Sequence, residues 1–253
     1  TGIRQLGLGD DRHQRLWDVL NAEYFLRHEP DEIVWHAREL LPSLDNRQTV
    51  IRARTIGQDE ALQVLVFDRD RHDLFASICH YFDRHGFNIQ DARIHTTEDG
   101  WALDSCIVLA RRPDTRCRDD IALIEQGLAS HLRQSGSGHD RPAQPRSRRP
   151  GPARRQARTF PITPQCELQR DERDGLSRLS IVCADRPGLL YDLALLFSRH
   201  GINLKMAKIH TLGARVEDVF IIQGAPLADA GMRREFELAV LKLLDQRQFS
   251  DCP

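Results

Sequence analysis

The strongest constraint on this chain is an internal repeat. Residues 70–96 and residues 185–211 align without a gap, and 12 of the 27 aligned positions are identical. The shared positions include an Asp-Arg pair at the start, the segment Phe-x-Arg-His-Gly-x-Asn in the middle and Ile-His-Thr at the end. Self-similarity of this length is typical of one supersecondary unit present twice. We therefore expect two copies of one small domain.

Each copy has the pattern of strand, strand, helix, strand, strand and helix. Period-2 alternation and turn residues predict strands at 49–55, 61–67, 87–95 and 101–110, and again at 165–170, 178–184, 202–210 and 216–223. Helical spacing predicts helices at 74–84, 115–134, 189–200 and 231–246. The fold class is therefore α+β, with two ferredoxin-like ββαββα units in tandem. A ferredoxin-like unit normally ends in a strand beside its first one. Since no strand is evident after either closing helix, we expect the extra leading strand to fill that edge position by hairpin pairing.

Two segments lie outside the repeats. Residues 1–46 predict a short helical connector, in which Pro30 suits the first turn of a helix and Asp31 and Glu32 lie at its positive end. Residues 135–160 have no periodicity and are rich in Gly, Pro, Ser and Arg, which is typical of a linker. The predicted organisation is a connector at 1–46, a first domain at 47–134, a linker at 135–160 and a second domain at 161–253.

The turn Asp-Arg-Pro-Gly at 185–188 carries the clearest ligand chemistry. Asp185 is expected to cap the following helix, and Gly188 would let a ligand approach uncovered backbone N–H groups. Those groups and the helix dipole favour an anion, such as the carboxylate of an amino acid. Asn203 offers an amide donor and acceptor beyond the far end of the helix. A purely structural interpretation stays open, in which the turn is only sharp and Asn203 only caps a strand.

These residues also carry a family resemblance. The segment DRPGLL at 185–190, followed by HGINL at 200–204, is similar to the signature of ACT domains, which are ferredoxin-like regulatory modules. A wider set of segments along the chain resembles the C-terminal region of the bifunctional PII uridylyltransferase/uridylyl-removing enzymes. That set comprises residues 70–96, FPITPQ at 160–165 and KIHTLGARVEDVF at 208–220, with YFLRHEPDEIVWHAREL at 24–40 similar to the segment before the first ACT domain.

The resemblance implies a specific role. Enzymes of this family transfer uridylyl groups from UTP to PII signal proteins, with Mg²⁺ or Mn²⁺, and remove them by hydrolysis when L-glutamine is plentiful. Their tandem ACT domains are taken to sense glutamine, and their catalytic domains precede the ACT pair. No nucleotidyltransferase or phosphohydrolase motif occurs on this chain, which begins with Thr. We therefore expect a sensor region detached from its catalytic part, with no cofactor of its own, located in the cytoplasm.

The resemblance also selects the candidate site. The amino-acid-binding residues are predicted to be Asp185, Arg186, Gly188, Leu189 and Asn203, with Asn88 as a weaker candidate. The first repeat has His72-Asp73 in place of Pro187-Gly188, so its turn is expected to repel a ligand carboxylate. Asp104 and Asp218 occupy matching places on the return strands, and we expect them to fix the hairpins. The two repeats are expected to pair either within one chain or across two.

Composition excludes several other classes. The net charge of -1 favours no nucleic-acid partner, and the Arg-rich linker is interpreted as a solvated tether. No run of about 18 apolar residues occurs, so no membrane span is expected. The six cysteines form no Cys-x-x-Cys pair and are expected to be free thiols, and the histidines show no metal-ligand spacing. The alternative function is an ACT interaction or dimerisation module that binds no amino acid.

Overall fold

The computed structural model describes residues 16, 20, 22–43, 48–57, 61–71, 73–97, 99–110, 117–135, 162–170, 175–212 and 214–245. The connector and first repeat contain α1 (Ala22–Arg27), α2 (Pro30–Leu40), β1 (Val50–Ile56), β2 (Ala61–Arg69), α3 (Leu74–His85), β3 (Phe87–Thr96), β4 (Trp101–Ala110) and α4 (Cys117–Ser135). The second repeat contains β5 (Gln165–Arg170), β6 (Leu176–Ala184), α5 (Leu189–Arg199), β7 (Asn203–Lys208), β8 (Thr211–Leu212), β9 (Arg215–Gln223), a 3-10 helix (Ala225–Ala228) and α6 (Ala230–Asp245).

The order ββαββα is confirmed in both repeats. The strand order is β1-β2-β4-β3 in the first repeat, and the corresponding strands of the second follow the same order, β5-β6-β9-β7. The two leading strands pair antiparallel with the strands that follow them, from Val50 opposite Phe67 in one copy and from Gln165 opposite Val182 in the other. The prediction that the leading strand fills the ferredoxin-like edge position is therefore confirmed.

The chain forms two compact units whose borders differ from those of the repeats. The first unit is Thr1–Arg71 with Arg93–Ser130, and the second is His72–Ala92 with His131–Pro253. Helix α3 and the beginning of β3 thus belong to the same unit as the second repeat. The predicted domain boundaries remain a prediction, and most of the predicted linker at 135–160 lies outside the described residues.

The connector packs on the sheet of the first unit. Residues from the connector, from β1 and β2 and from β4 share one apolar core: Leu16, Leu20, Tyr24, Ala37, Leu40, Leu41, Val50, Leu65, Phe67, Trp101 and Leu103. The Tyr24 hydroxyl is 2.7 Å from Nδ1 of His36, and both side chains are fully buried. Burial holds the pKa of His36 well below its ordinary value, so this imidazole stays neutral inside the core. The predicted helical connector therefore packs on β1, β2 and β4.

Helix α3 packs against α5 within the second unit. The rings of His80 on α3 and Tyr191 on α5 have their centroids 5.3 Å apart. Strand β3 is likewise the neighbour of β7, and the backbone N–H of Ile209 donates to the carbonyl of Gln90 at 2.9 Å. The two repeats are therefore joined within one chain, through a helix pair and a strand pair.

The core of the second repeat lies between its sheet and its two helices. The Phe197 ring on α5 meets Phe220 of β9 at 5.4 Å and Phe236 of α6 at 5.8 Å, and each of these side chains is at most 2 % exposed. Three cysteines are buried as free thiols, Cys79, Cys106 and Cys183, and Cys166 is a half-buried one. No described helix is long and apolar enough to cross a membrane.

Three details of the second repeat differ from the sequence prediction. Strand β7 is shorter than the predicted 202–210, and its register against β9 shifts between Leu204 and Met206. A short strand β8 and a 3-10 helix were not predicted. Pro226 near the start of the 3-10 helix has no backbone N–H to donate, so the chain leaves the sheet there.

Candidate functional site

The turn at 185–188 connects the end of β6 to α5 in the second unit. The Asp185 backbone N–H donates to the carbonyl of Ala214 at 2.8 Å, which fixes the start of the turn. The helix then begins at Leu189, and Gly188 holds the N-cap position with φ 76°. This left-handed conformation is one that glycine adopts without steric cost. The sharp turn predicted from Pro187 and Gly188 is therefore present.

Two expectations about this turn need correction. The prediction that Asp185 caps the helix is wrong, because Gly188 stands at the cap three residues later. The expected set of uncovered N–H groups is also smaller, since Leu189 donates its N–H to the carbonyl of Arg186 at 3.3 Å. Leu189 itself is 6 % exposed and packs into the core. Only the remaining N–H groups of the first helical turn have no partner within the helix.

The Arg186 side chain is held across the start of the helix. Its guanidinium forms an ion pair with the carboxylate of Asp192 in the first turn of α5. The pair is partly exposed, with 22 % of the Arg186 side chain and 39 % of the Asp192 side chain accessible. Sequence analysis missed Asp192, although its position in the first helical turn is one where carboxylates are favoured. The guanidinium thus lies beside the turn, paired with the first turn of α5.

Asn88 lies at the same end of the sheet as this turn. It precedes Gln90 by two residues on β3, and the carbonyl of Gln90 accepts from the N–H of Ile209. The chain just beyond Ile209 returns along β9, where Arg215 is opposite Ala184, the last residue of β6. Asn88, the weaker sequence candidate, is therefore at the same end of the sheet as the turn, with β7 and β9 between its strand and β6, and it is exposed.

Asn203 lies at the opposite end of the sheet. Its partner in the β7–β9 ladder is Gln223, and Gln223 is in turn opposite Leu176, the first residue of β6. The turn follows Ala184, eight residues further along β6, which corresponds to about 26 Å of extended strand. The structure therefore brings Asp185, Arg186, Gly188, Leu189 and Asn88 to one end and does not bring Asn203 to it.

Asp218 is a buried carboxyl group at the end of the sheet that carries the turn. It is 2 % exposed, and its Oδ1 accepts the backbone N–H of His210 at 3.0 Å, which agrees with the expected role of fixing the hairpin. Burial and the nearby charge of Asp185 raise the pKa of Asp218 to about 7. Asp104, its counterpart on β4, is 1 % exposed, and burial raises its pKa well above the ordinary value. In the sequence, the matched positions of Asp104 and Asp218 in the two repeats were the only signal that these carboxyl groups would be buried and have raised pKa values.

The turn of the first repeat keeps the backbone but changes the chemistry. Asp73 holds the N-cap position of α3 with φ 63°, the conformation that Gly188 has in the second repeat. The arginine at the start of the turn, Arg71, pairs with Asp68 of the preceding strand at 2.7 Å. The turn of the first repeat therefore carries an acidic residue, Asp73, where the turn of the second repeat has Gly188. Among the described residues, no group of three or more His, Cys, Asp or Glu side chains is arranged to hold a metal ion.

Comparison with known proteins agrees with this geometry. Residues 177–238 match the family described as the ACT domain, and residues 2–39 match the family described as the fifth domain of uridylyltransferase GlnD. The fold and the turn thus define a protein with tandem ACT domains.

Three of the curated relatives carry the same name. The chain is 46 % identical over 241 residues to the bifunctional uridylyltransferase/uridylyl-removing enzyme of Bordetella pertussis, 47 % identical over 242 residues to that of Bordetella avium and 43 % identical over 235 residues to that of Burkholderia orbicola. These alignments cover 93 to 96 % of this chain but only 27 to 28 % of each relative. The chain therefore corresponds to the C-terminal, ACT-domain part of the bifunctional uridylyltransferase/uridylyl-removing enzymes, and the family resemblance is confirmed.

Proposed function

We propose that this chain is the glutamine-sensing regulatory region of a bifunctional uridylyltransferase/uridylyl-removing enzyme. The observation that carries the proposal is the similarity over almost the whole chain to enzymes of that name, combined with a glycine turn at the N-terminus of α5. The complete enzyme would transfer uridylyl groups from UTP to a PII protein in the cytoplasm, with Mg²⁺ or Mn²⁺, and would remove them by hydrolysis. Those reactions would take place on the part of the enzyme that precedes this chain.

The amino acid would bind at the turn of the second repeat. Its α-carboxylate would lie at the N-terminus of α5, where the helix dipole and the free N–H groups favour an anion. Its ammonium group would pair with the exposed carboxylate of Asp185. The side-chain amide of glutamine would meet the amide of Asn88, which can both donate and accept a hydrogen bond. Arg186, already paired with Asp192, would order the turn.

Sensing requires that the ligand bind two states of the enzyme with different affinities. The turn belongs to the unit that also contains α3 and the first part of β3. A ligand between the turn and Asn88 would therefore bias the packing of α3 against α5. Such a bias would be transmitted to the first repeat, because α3 is the first repeat's own helix.

Calorimetric titration of the 253-residue chain with L-glutamine tests the proposal. We expect saturable binding that L-glutamate and L-asparagine do not reproduce. Gly188→Asp should abolish this binding, because it places a carboxylate where the ligand carboxylate would lie. The first repeat demonstrates that Asp tolerates this backbone conformation, with Asp73 at φ 63°. Gly188→Asn is the matched control, since Asn also tolerates the left-handed conformation but carries no charge.

The outcomes separate the two functions. Glutamine binding that survives in Gly188→Asn and is lost in Gly188→Asp supports the sensor. Binding that is equal in all three proteins would place the ligand elsewhere. If glutamine binds neither this chain nor the longer protein, the chain is an ACT interaction module that binds no amino acid.

A further inference from the structure

A cluster of buried rings joins the connector to the first repeat. Tyr24 of α1 lies at its centre. Around it are His28, which follows α1, His36 of α2 and His95 of β3. The centroid of the Tyr24 ring is 4.3 Å from that of His28, 5.5 Å from that of His95 and 6.1 Å from that of His36. All four residues belong to the first unit, and none is more than 6 % exposed. The packing of the connector therefore includes three imidazoles, which are groups that can gain a proton near neutral pH.

The hydrogen bond of His28 fixes which ring nitrogen carries the proton in the neutral state. Its Nδ1 is 2.9 Å from the carbonyl oxygen of Tyr24, and since a carbonyl only accepts, Nδ1 carries the hydrogen. The other nitrogen, Nε2, is buried and has no hydrogen-bond partner among the described residues. A second proton on His28 would therefore create a buried, charged N–H group without an acceptor, which is costly.

His36 has the same restriction. Its Nδ1 is 2.7 Å from the Tyr24 hydroxyl, and its Nε2 is buried and without a hydrogen-bond partner in the described part of the chain. A protonated imidazole donates from both nitrogens, so Nε2 would need an acceptor there. The ring centroids of His28 and His36 are 5.2 Å apart, so a charge on one imidazole also opposes a charge on the other. The packed arrangement accordingly favours two neutral rings.

The charges around these two imidazoles also favour the neutral form. Three arginines on α1, β1 and β3 oppose a further positive charge there: Arg27, Arg54 and Arg93. Glu32 of α2 favours protonation of His28, but its carboxylate already binds Arg93 at 2.6 and 2.7 Å. Burial is the main reason why the pKa of each of the two imidazoles lies below the ordinary 6.5.

We propose that His28 and His36 form an acid-sensitive latch, which holds the connector on the first repeat while both rings are neutral and releases it when they are protonated. In the released connector both rings reach water and bind protons with an ordinary pKa of 6.5. Docking of the connector is therefore strongest above pH 6.5, and each histidine weakens it by up to about tenfold per pH unit below that value. Since the connector leads to the part of the enzyme that precedes this chain, its release would loosen the first repeat from that part.

Hydrogen exchange of the 253-residue chain at pH 7.5 and pH 5.5, corrected for the intrinsic exchange rates, tests the latch. Helix α2 has 11 residues, too few for a stable helix on its own in water, so its amides lose protection when the connector is released. We expect the protection of residues 33–41 to be lower at pH 5.5 by a factor of between about 10 and about 100. Residues 62–67 and 103–108 of the sheet should keep their protection.

The matched variant replaces both rings by groups that cannot gain a proton. In His28→Asn/His36→Asn, the amides can still donate to the Tyr24 carbonyl and accept from the Tyr24 hydroxyl. The connector of this double variant should therefore have the same protection at both pH values. His210→Asn, at an exposed position of the second unit, is the control, and its connector should lose protection as in the native chain.

Nitrogen-15 NMR of the imidazoles in the native chain is a second measurement, which needs no variant. The rings of His28 and His36 should stay neutral at every pH at which the connector amides stay protected. The proposal would be overturned by a change in protection of residues 33–41 of less than about threefold, or by a native-like loss in the double variant. An equal loss of protection in the sheet, or two rings that titrate at pH 6.5 while the connector stays protected, would overturn it as well.

Discussion

Asp218 is a carboxyl group whose ionisation should make the stability of this chain depend on pH. The folded protein raises its pKa from an ordinary 3.8 to about 7, mainly because the group is buried. The folded state therefore holds a proton that the unfolded state releases. The stabilisation is fully present below pH 3.8 and is lost as the pH rises through about 7. On this basis, raising the pH from 5 to 8 should cost on the order of 2 kcal/mol through Asp218.

Urea denaturation of Asp218→Asn at pH 5 and pH 8 measures this contribution. The asparagine oxygen can still accept from the N–H of His210, and it has no proton to lose. The variant should therefore lose less stability than the native chain between the two pH values. Asp245→Asn, an exposed position at the end of α6, is the control and should follow the native chain. A native-like pH dependence in Asp218→Asn would mean that Asp218 is ionised throughout this range.

At the scale of an element, one buried carboxylate adds polar contacts to the apolar packing of α2 on the first repeat. Glu32 is 8 % exposed and binds the guanidinium of Arg93 at 2.6 and 2.7 Å, and it also accepts from Gln63 at 2.6 Å. Its Oε2 further accepts the backbone N–H of Glu29, which closes the capping box of the helix. One side chain thus joins the connector to β2 and to Arg93 of β3.

Glu32→Gln should destabilise the first unit by about 2 kcal/mol. The substitution removes the carboxylate that pairs with the Arg93 side chain, which is only 16 % exposed. The same helix provides a matched control in Glu39, whose 3.3 Å pair with Arg52 is more exposed. Glu39→Gln should cost no more than about 0.5 kcal/mol, as expected of a surface ion pair. Thermal unfolding of both variants compares their losses of stability. Equal losses of stability in Glu32→Gln and Glu39→Gln would contradict the anchoring role of Glu32.

The elements with strong periodicity could be predicted from the sequence, whereas their mutual placement could not. Strands β4 and β5 have the predicted bounds, since their alternation and turn residues are local signals. The sequence suggested that Asn203 lies beside the turn, and this was misleading. Asn203 follows α5, and a residue just beyond a helix lies at the opposite end of the sheet from the turn that precedes the helix. Only the pairing of β3 with β7 brings Asn88 of one repeat to the end of the sheet that carries the turn of the other. That pairing depends on contacts between residues more than 100 positions apart, which local patterns do not encode.

At the scale of the whole molecule, the two repeats cannot be separated at the linker without exposing buried surface. The second unit includes α3 and the start of β3, so a fragment of residues 161–253 would lose the partners of α5 and β7. Strand β7 would become an open edge, and an open edge pairs readily with another chain. The isolated second repeat should therefore form a dimer through β7 and α5, and its melting temperature should depend on its concentration.

Light scattering after gel filtration measures the oligomeric state of the isolated second repeat. The fragment should elute as a dimer at micromolar concentration, and Tyr191→Lys, on the face that α3 covers in the native chain, should shift it towards the monomer. Lys242→Glu, on the exposed side of α6, is the control and should leave the dimer intact. A fragment that stays monomeric, with a melting temperature that does not change with concentration, would contradict this view. The second repeat would then be a self-sufficient domain, and the contacts of α3 with α5 would contribute little to its stability.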